Sequence, residues 1–266
     1  NRCLVGSEMC IRDRYDSSDL QSLTASRAVA WLNSGYFFAT ENRSGFFELT
    51  GTTAFEDQTE AKLLTDYSDG SDVAVGDFNQ DGYDDAYLAT IVGTSRLFGF
   101  DPETGTYVSY ESELEQLDNP NTTASWHWFE GETTPTLNVG NWDGGNQLFF
   151  QDADGFYDMA TDYSVRDAGY TTSLDWGTLH PELGASTYIG RWLAANLLMV
   201  PIYDESGQLK YYENIAEPVG VGGEQQTMDV AFIDYDSDED DDLIRANYDG
   251  SLRLYQNDSR LIELCP

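Results

Sequence analysis

The sequence predicts an all-β fold, a β-propeller of four-stranded blades holding about four to five repeats of ~50 residues each. Three observations carry this: an internal period, short apolar runs rich in Val, Tyr, Phe and Leu, and turn chemistry between those runs. The period shows first. Val73–Thr90 and Val230–Asn247 each set an acidic loop between two alternating apolar runs. Ser125–Trp142 and Asp175–Trp192 align over 18 positions, with Trp126 on Trp176, Glu132 on Glu182, Gly140 on Gly190 and Trp142 on Trp192. The four loops begin at Asp77, Trp128, Thr178 and Asp234, at spacings of 51, 50 and 56 residues. A partial earlier unit, Gly35–Thr50, matches Ser95–Tyr110 and Asn146–Thr161.

Each unit has room for four short strands. In the unit that holds Asp77 they fall at Asp72–Gly76, Asp85–Thr90, Ser95–Phe100 and Thr106–Tyr110. β-branched and aromatic residues favour the pleated, half-buried surface of a sheet. Asn-Gln-Asp-Gly, Asp-Pro-Glu-Thr-Gly and the Asp-Gly pairs at 154–155 and 249–250 close the hairpins, because Asp, Asn and Gly tolerate the backbone angles of tight turns. Helix is confined at most to inter-blade pieces such as Glu60–Asp66. A β-sandwich is the competing all-β solution, but nothing in it requires the period.

Composition limits the partners. Asp and Glu number 48 against 13 Lys and Arg, a formal net charge of −35. A surface so negative repels phosphate, which excludes nucleic acid and anionic membranes and favours cations. No apolar run reaches the ~18–20 residues of a membrane-spanning helix. The only lysines are Lys62 and Lys210. The cysteines are Cys3, Cys10 and Cys265, so residues 11–264 offer neither a disulfide framework nor a thiolate metal site.

The acidic loops carry the chemistry. In the first, Asp77, Asn79, Asp81 and Asp85 occupy positions 1, 3, 5 and 9, and Tyr83 at position 7 offers its backbone carbonyl. Gly82 at position 6 permits the tight turn. Alternate side chains in such a loop converge, and a hard cation takes several oxygen ligands of this kind. The EF-hand loop opens similarly but needs a Glu at position 12, where Leu88 stands inside an apolar strand. The second loop repeats the spacing with Asp234, Asp236, Asp238, Asp240 and Asp242, Asp240 contributing its carbonyl. Glu239 replaces the glycine there, so a strained or differently shaped turn is expected. Loop 77–85 is accordingly the better expected site. The alternative reading is a pair of solvated acidic turns.

These loops resemble FG-GAP/VCBS repeats, the family that builds the calcium-binding propeller of integrin α subunits and of many secreted bacterial proteins. Asn146–Gly177 is similar to that family's strand-turn-strand followed by a Trp-Gly loop start, and the resemblance covers roughly residues 28–258. It implies Ca²⁺ held by the ten loop residues named above. It also implies an extracellular or cell-surface bacterial protein whose propeller is a binding or adhesion scaffold for a protein or polysaccharide. The loops led by Trp128, Glu130, Glu132 and Thr136, and by Thr178, His180, Glu182 and Ser186, depart from the pattern and are expected to keep the blade without calcium. The family closes six to eight blades, so four to five units imply a fragment, whose first and last units would show unpaired apolar faces.

Residues 1–14 belong to no repeat. CLVGSEMCIRDR (Cys3–Arg14) resembles a translated sequencing adapter. We therefore read residues 1–14 as a leader outside the fold, with the propeller running from 15 to 266. No signal peptide is readable in this chain. Enzyme motifs are not found: no nucleophile elbow, zinc-type histidine pair or phosphate loop occurs. A propeller-fold polysaccharide lyase or hydrolase is the alternative function. His127, between Trp126 and Trp128, reads as packed. Trp126, Trp142, Trp176 and Trp192 read as inter-blade core because they recur with the repeat, although tryptophans could also form a sugar-stacking surface.

Overall fold

A computed structural model describes residues 25–258, apart from 51–53, 111–113, 115–119, 130–131, 168 and 225. Residues 1–14, read above as a leader, lie outside the described residues. All described secondary structure is β. Blade 1 comprises β1 (Ser26–Leu32), β2 (Gly35–Thr40), β3 (Gly45–Thr50) and β4 (Ala54–Asp57). Blade 2 comprises β5 (Asp69–Gly76), β6 (Asp85–Val92), β7 (Arg96–Asp101) and β8 (Thr106–Ser109). Blade 3 runs through β9 (Asn121–His127), β10 (Thr136–Asn141), β11 (Gln147–Asp152) and β12 (Gly155–Asp158). Blade 4 follows with β13 (Thr171–Gly177), β14 (Ser186–Arg191), β15 (Leu197–Tyr203) and β16 (Leu209–Asn214). Blade 5 has three described strands, β17 (Thr227–Ile233), β18 (Asp242–Asn247) and β19 (Leu252–Tyr255). Every sheet is an antiparallel meander in chain order. Together they make a five-bladed β-propeller.

The four strands expected of blade 2 match β5–β8 to within a few residues. Two expectations are corrected. Gly35–Thr50 forms β2 and β3, the second and third strands of its blade, whereas Ser95–Tyr110 and Asn146–Thr161 hold third and fourth strands. Blade 1 joins its first two strands through the two residues Asn33 and Ser34 instead of an acidic loop, and so gave no repeat signal for β1. Glu60–Asp66 is not helical: residues 59–63 form turns, and Asp66 bridges to Ser44.

Cores lie between blades. Leu32, Phe37, Ala39 and Phe46 of blade 1 pack with Val73, Ala86, Leu88 and Phe98 of blade 2. Ala74, Tyr87, Ala89 and Leu97, on the other face of blade 2, meet Ala124, Trp126, Leu137 and Val139 of blade 3. Equivalent clusters join blades 3 and 4 and blades 4 and 5. Burying such side chains is worth roughly 1.5–3 kcal/mol each. Polar latches repeat with the period. Thr122 Oγ1 donates to the Thr171 carbonyl at 2.6 Å, and Thr172 Oγ1 to the Thr227 carbonyl at 2.8 Å. Gly76 lets Trp126 approach closely, since a Cβ there would lie 2.8 Å from the indole.

Inner-strand packing runs β1 on β5, β5 on β9, β9 on β13 and β13 on β17. Among the described residues β17 and β1 share no packing of that extent, so the seam between blades 5 and 1 is the loosest junction of the ring. Near it, Trp31 is 50% and Leu254 47% exposed.

Candidate metal centre

Both acidic loops connect the first and second strands of a blade, β5 to β6 and β17 to β18. In each, the position 1 carboxylate turns inward to cap the loop. Asp77 accepts from the Asp81 and Gly82 N–H groups at 3.0 and 2.9 Å. Asp234 accepts from the Asp238 and Glu239 N–H groups at 3.1 and 3.3 Å. Position 5 accepts from position 7: Tyr83 N–H to Asp81 at 3.0 Å, Asp240 N–H to Asp238 at 3.4 Å. Position 9 is buried at the start of the second strand. Asp85 accepts from Phe78 and Phe100 N–H at 3.0 and 2.8 Å, and Asp242 from Tyr235 and Asn257 N–H at 3.2 and 2.6 Å. The two loops are thus one structure built twice, 157 residues apart.

Glu239 does not reshape the turn. It takes φ 76° where Gly82 takes 87°, and Ser237 takes φ 63° where Gln80 takes 60°. A non-glycine side chain held at positive φ is strained, so of the two outcomes expected for position 6, strain is the one observed.

Convergence differs between the loops. Carboxylate oxygens of Asp234, Asp236 and Asp242 lie within 4.8 Å of one another. This is the only such acidic group among the described residues, so Asp77, Asp81 and Asp85 are not brought together to the same degree. Asn79 accepts from the Asp81 N–H at 3.0 Å, Tyr83 rests on the Phe100 ring, and neither Asp238 nor Asp240 belongs to the triad. Gln256, which the spacing gave no reason to name, donates through Nε2 to Asp236 at 2.7 Å. It comes from beyond β19, and only the folded blade brings it to the loop.

All donors in both loops are oxygen atoms, which suits a hard cation and not a thiophilic metal. Burial pushes the Asp85 carboxyl up to about 7, aided by the nearby Asp81 charge and opposed by the Phe100 and Phe78 N–H groups. A carboxylate pushed up by burial gains when a cation supplies positive charge.

In blades 3 and 4 the position 9 residue is a hydroxyl, Thr136 or Ser186, buried like Asp85 and Asp242. Glu132 and Glu182 point to solvent, and Glu130 lies outside the described residues. His127 stacks on Trp176 at 5.0 Å, and burial pushes its pKa down to about 4, so it is neutral and packed. His180 Nδ1 accepts the Glu182 N–H at 3.1 Å, a local turn bond. The tryptophans divide. Trp126 and Trp176 are buried in the inter-blade core, as expected. Trp142 and Trp192 are only half-buried and instead join Tyr170 and Tyr248 in an aromatic row with neighbouring centroids 4.9–6.2 Å apart.

No protein-family profile matches the chain, and no curated protein matches it. Among solved structures it is similar to the Dos1 propeller, with a TM-score of 0.51 at 14% identity over 88% of this chain. The likeness shows the propeller fold. The chain spans 56% of that solved chain.

Proposed function

We propose that the protein is a calcium-binding propeller of the FG-GAP/VCBS kind, working outside the cell as a scaffold for binding or adhesion. The observation that carries this reading is the convergence of Asp234, Asp236 and Asp242 on a loop whose hydrogen-bond scheme recurs at Asp77–Asp85. Three carboxylates within 4.8 Å repel one another in a chain of net charge −35, and a divalent cation relieves that repulsion. For a macromolecular ligand, the row Tyr170–Trp142–Trp192–Tyr248 supplies aromatic faces across blades 3 to 5 that suit a sugar polymer.

Calorimetric titration with calcium, paired with thermal melts, tests the reading. Two sites are expected, with affinities in the range of extracellular modules, about 10⁻⁴–10⁻³ M. At a hundredfold excess over Kd, calcium should stabilise the fold by about 2.7 kcal/mol per site. Asp234→Ala and Asp77→Ala should each remove one site. A melting temperature indifferent to both calcium and chelator would leave two acidic turns and no metal centre.

Asp85 adds a pH signature. Its folded-state pKa, about 7, lies above the unfolded value of 3.8, so the folded state holds the proton more tightly. The contribution to stability is full below about pH 4 and is lost as pH rises through 7. In chelator, melting temperature should fall over this window. Calcium should flatten the fall, and Asp85→Asn should abolish it.

A further inference from the structure

Loop position 2 and strand register set equivalent rings at two successive junctions. Phe78, Trp126 and Phe156 join blades 2 and 3, and Phe129, Trp176 and Tyr212 join blades 3 and 4. In the first set the centroids lie 5.9–6.3 Å apart, and in the second Phe129 and Tyr212 lie 5.2 and 5.8 Å from Trp176. The junctions differ in closure. Phe78 is 3% exposed and capped by Tyr110 at 5.2 Å. Phe129 is only half-buried, and beside it a cavity of about 510 Å³ opens between blades 3 and 4. Sites for small ligands run to roughly 300–1,000 Å³.

Three properties of the cavity restrict its ligand. Its walls are aromatic: Phe129 and Phe150 lie parallel at 5.9 Å, and Tyr163 is tilted against Phe150 at 5.5 Å. Tyr203 enters over Gly184, which has φ 77° and where a Cβ would collide with the Tyr203 hydroxyl. Its charge is negative. Glu132 and Glu182, at position 5 of the two loops expected to lack calcium, stand at the solvent-facing mouth from opposite blades, and no lysine or arginine lines it. Burial pushes the Tyr163 phenol up, helped by Tyr157, Glu132 and Asp162, so this ring stays neutral beside the carboxylates. Finally, Glu132 and Glu182 belong to no acidic group close enough to ligate a bare metal ion; among the described residues only the triad of blade 5 does.

We infer that this cleft binds an organic ammonium ion, its alkylated head against the ring faces and its charge balanced by Glu132 and Glu182. The face of an aromatic ring is electronegative and attracts a cation. An anion finds no positive partner in the cleft, and the net charge of −35 concentrates cations at the protein surface. A neutral sugar would stack on the same rings, but its affinity would survive glutamines in place of the two glutamates. The cleft is separate from the calcium loops, since none of its lining residues belongs to 77–85 or 234–242.

Calorimetric titration of the full chain with tetramethylammonium, in chelator and at constant ionic strength, tests this. One site is expected, with a Kd on the order of 1–10 mM for so small a ligand. Tryptophan fluorescence should follow the same curve, because Trp176 packs edge-on against Phe129 in the cavity wall. Glu132→Gln and Glu182→Gln should each weaken binding about threefold, and the double variant about tenfold. Phe150→Leu keeps an apolar side chain but loses the ring face, and should weaken binding about fivefold. Glu103→Gln, which removes an exposed charge on the turn between β7 and β8, should leave the affinity unchanged. Far-ultraviolet circular dichroism confirms that each variant is folded. Absence of saturable heat, equal binding of uncharged tert-butanol or methyl glucoside, or an unchanged affinity in the double glutamine variant would each overturn the inference.

Discussion

Trp176→Ala should cost about 3–5 kcal/mol, the range for truncating a buried aromatic side chain. Its indole sits between blades 3 and 4, stacked on His127 at 5.0 Å and edge-on to Phe129 and Tyr212 at 5.2 and 5.8 Å. These rings come from β9, the loop after it, and β16, so no single neighbour can collapse into the space. Trp192→Ala, at the corresponding distance along its own repeat from Trp142, should cost only about 1 kcal/mol. Trp192 is half-buried and makes only edge and tilted contacts with Tyr248 and Trp142. Chemical denaturation of both variants separates the cases. Equal costs would mean that the aromatic row is structural core after all.

Arg245→Ala is expected to lose about 3 kcal/mol or more, combining a cavity with stranded acceptors. Arg245 is fully buried on β18. Its Nη1 donates to the Val221 and Gly222 carbonyls and to the Tyr188 hydroxyl, at 3.1, 3.1 and 3.2 Å, and its guanidinium lies over the Tyr255 ring. Those two carbonyls belong to the chain between β16 and β17, so one side chain ties the link between blades 4 and 5 to the sheet. Arg245→Met keeps most of the volume and should recover part of the loss. Truncation that proved no worse than Met would show that the donated hydrogen bonds, and not packing, carry the effect. Denaturant midpoints for the three proteins decide it.

What could be read in advance follows from how locally each feature is encoded. Blade 2 was legible strand by strand, because Asp77–Asp85 bounds two alternating runs and Asp-Pro-Glu-Thr-Gly closes the next hairpin. The 1-3-5-9 pattern likewise placed both acidic loops correctly between first and second strands. Blade 1 was not legible to that depth. Asn33–Ser34 is an ordinary two-residue turn, and without an acidic loop Gly35–Thr50 aligned one strand out of place. The tryptophans failed differently. Repeat equivalence fixes where Trp142 and Trp192 sit in their blades, but burial there depends on the neighbouring loops. Arg245 occupies the position of Leu88 in blade 2, and only the link at Val221–Gly222 makes a cation fit. Convergence of Asp234, Asp236 and Asp242 depends on side-chain direction within two loops of equal spacing, which the spacing cannot distinguish.

Consecutive packing has a consequence for cooperativity. A propeller sealed all round denatures as a hoop, each blade braced from both sides. Here, among the described residues, extensive packing runs in succession from β1 through β5, β9 and β13 to β17 and is weakest where blades 5 and 1 approach each other. Stability is then a sum of blade terms and nearest-neighbour terms, as in a solenoid. Among the described residues blades 2 to 4 are packed extensively on both sides and blades 1 and 5 on one, so fraying is expected to start on both sides of the seam and work inward. Blade 3, two interfaces from either end, is the last refuge of structure. A defect between blades 2 and 3 therefore divides the molecule into a pair and a trio instead of lowering one shared melting point. Calcium in blade 2 and calcium in blade 5 would brace different halves of that succession.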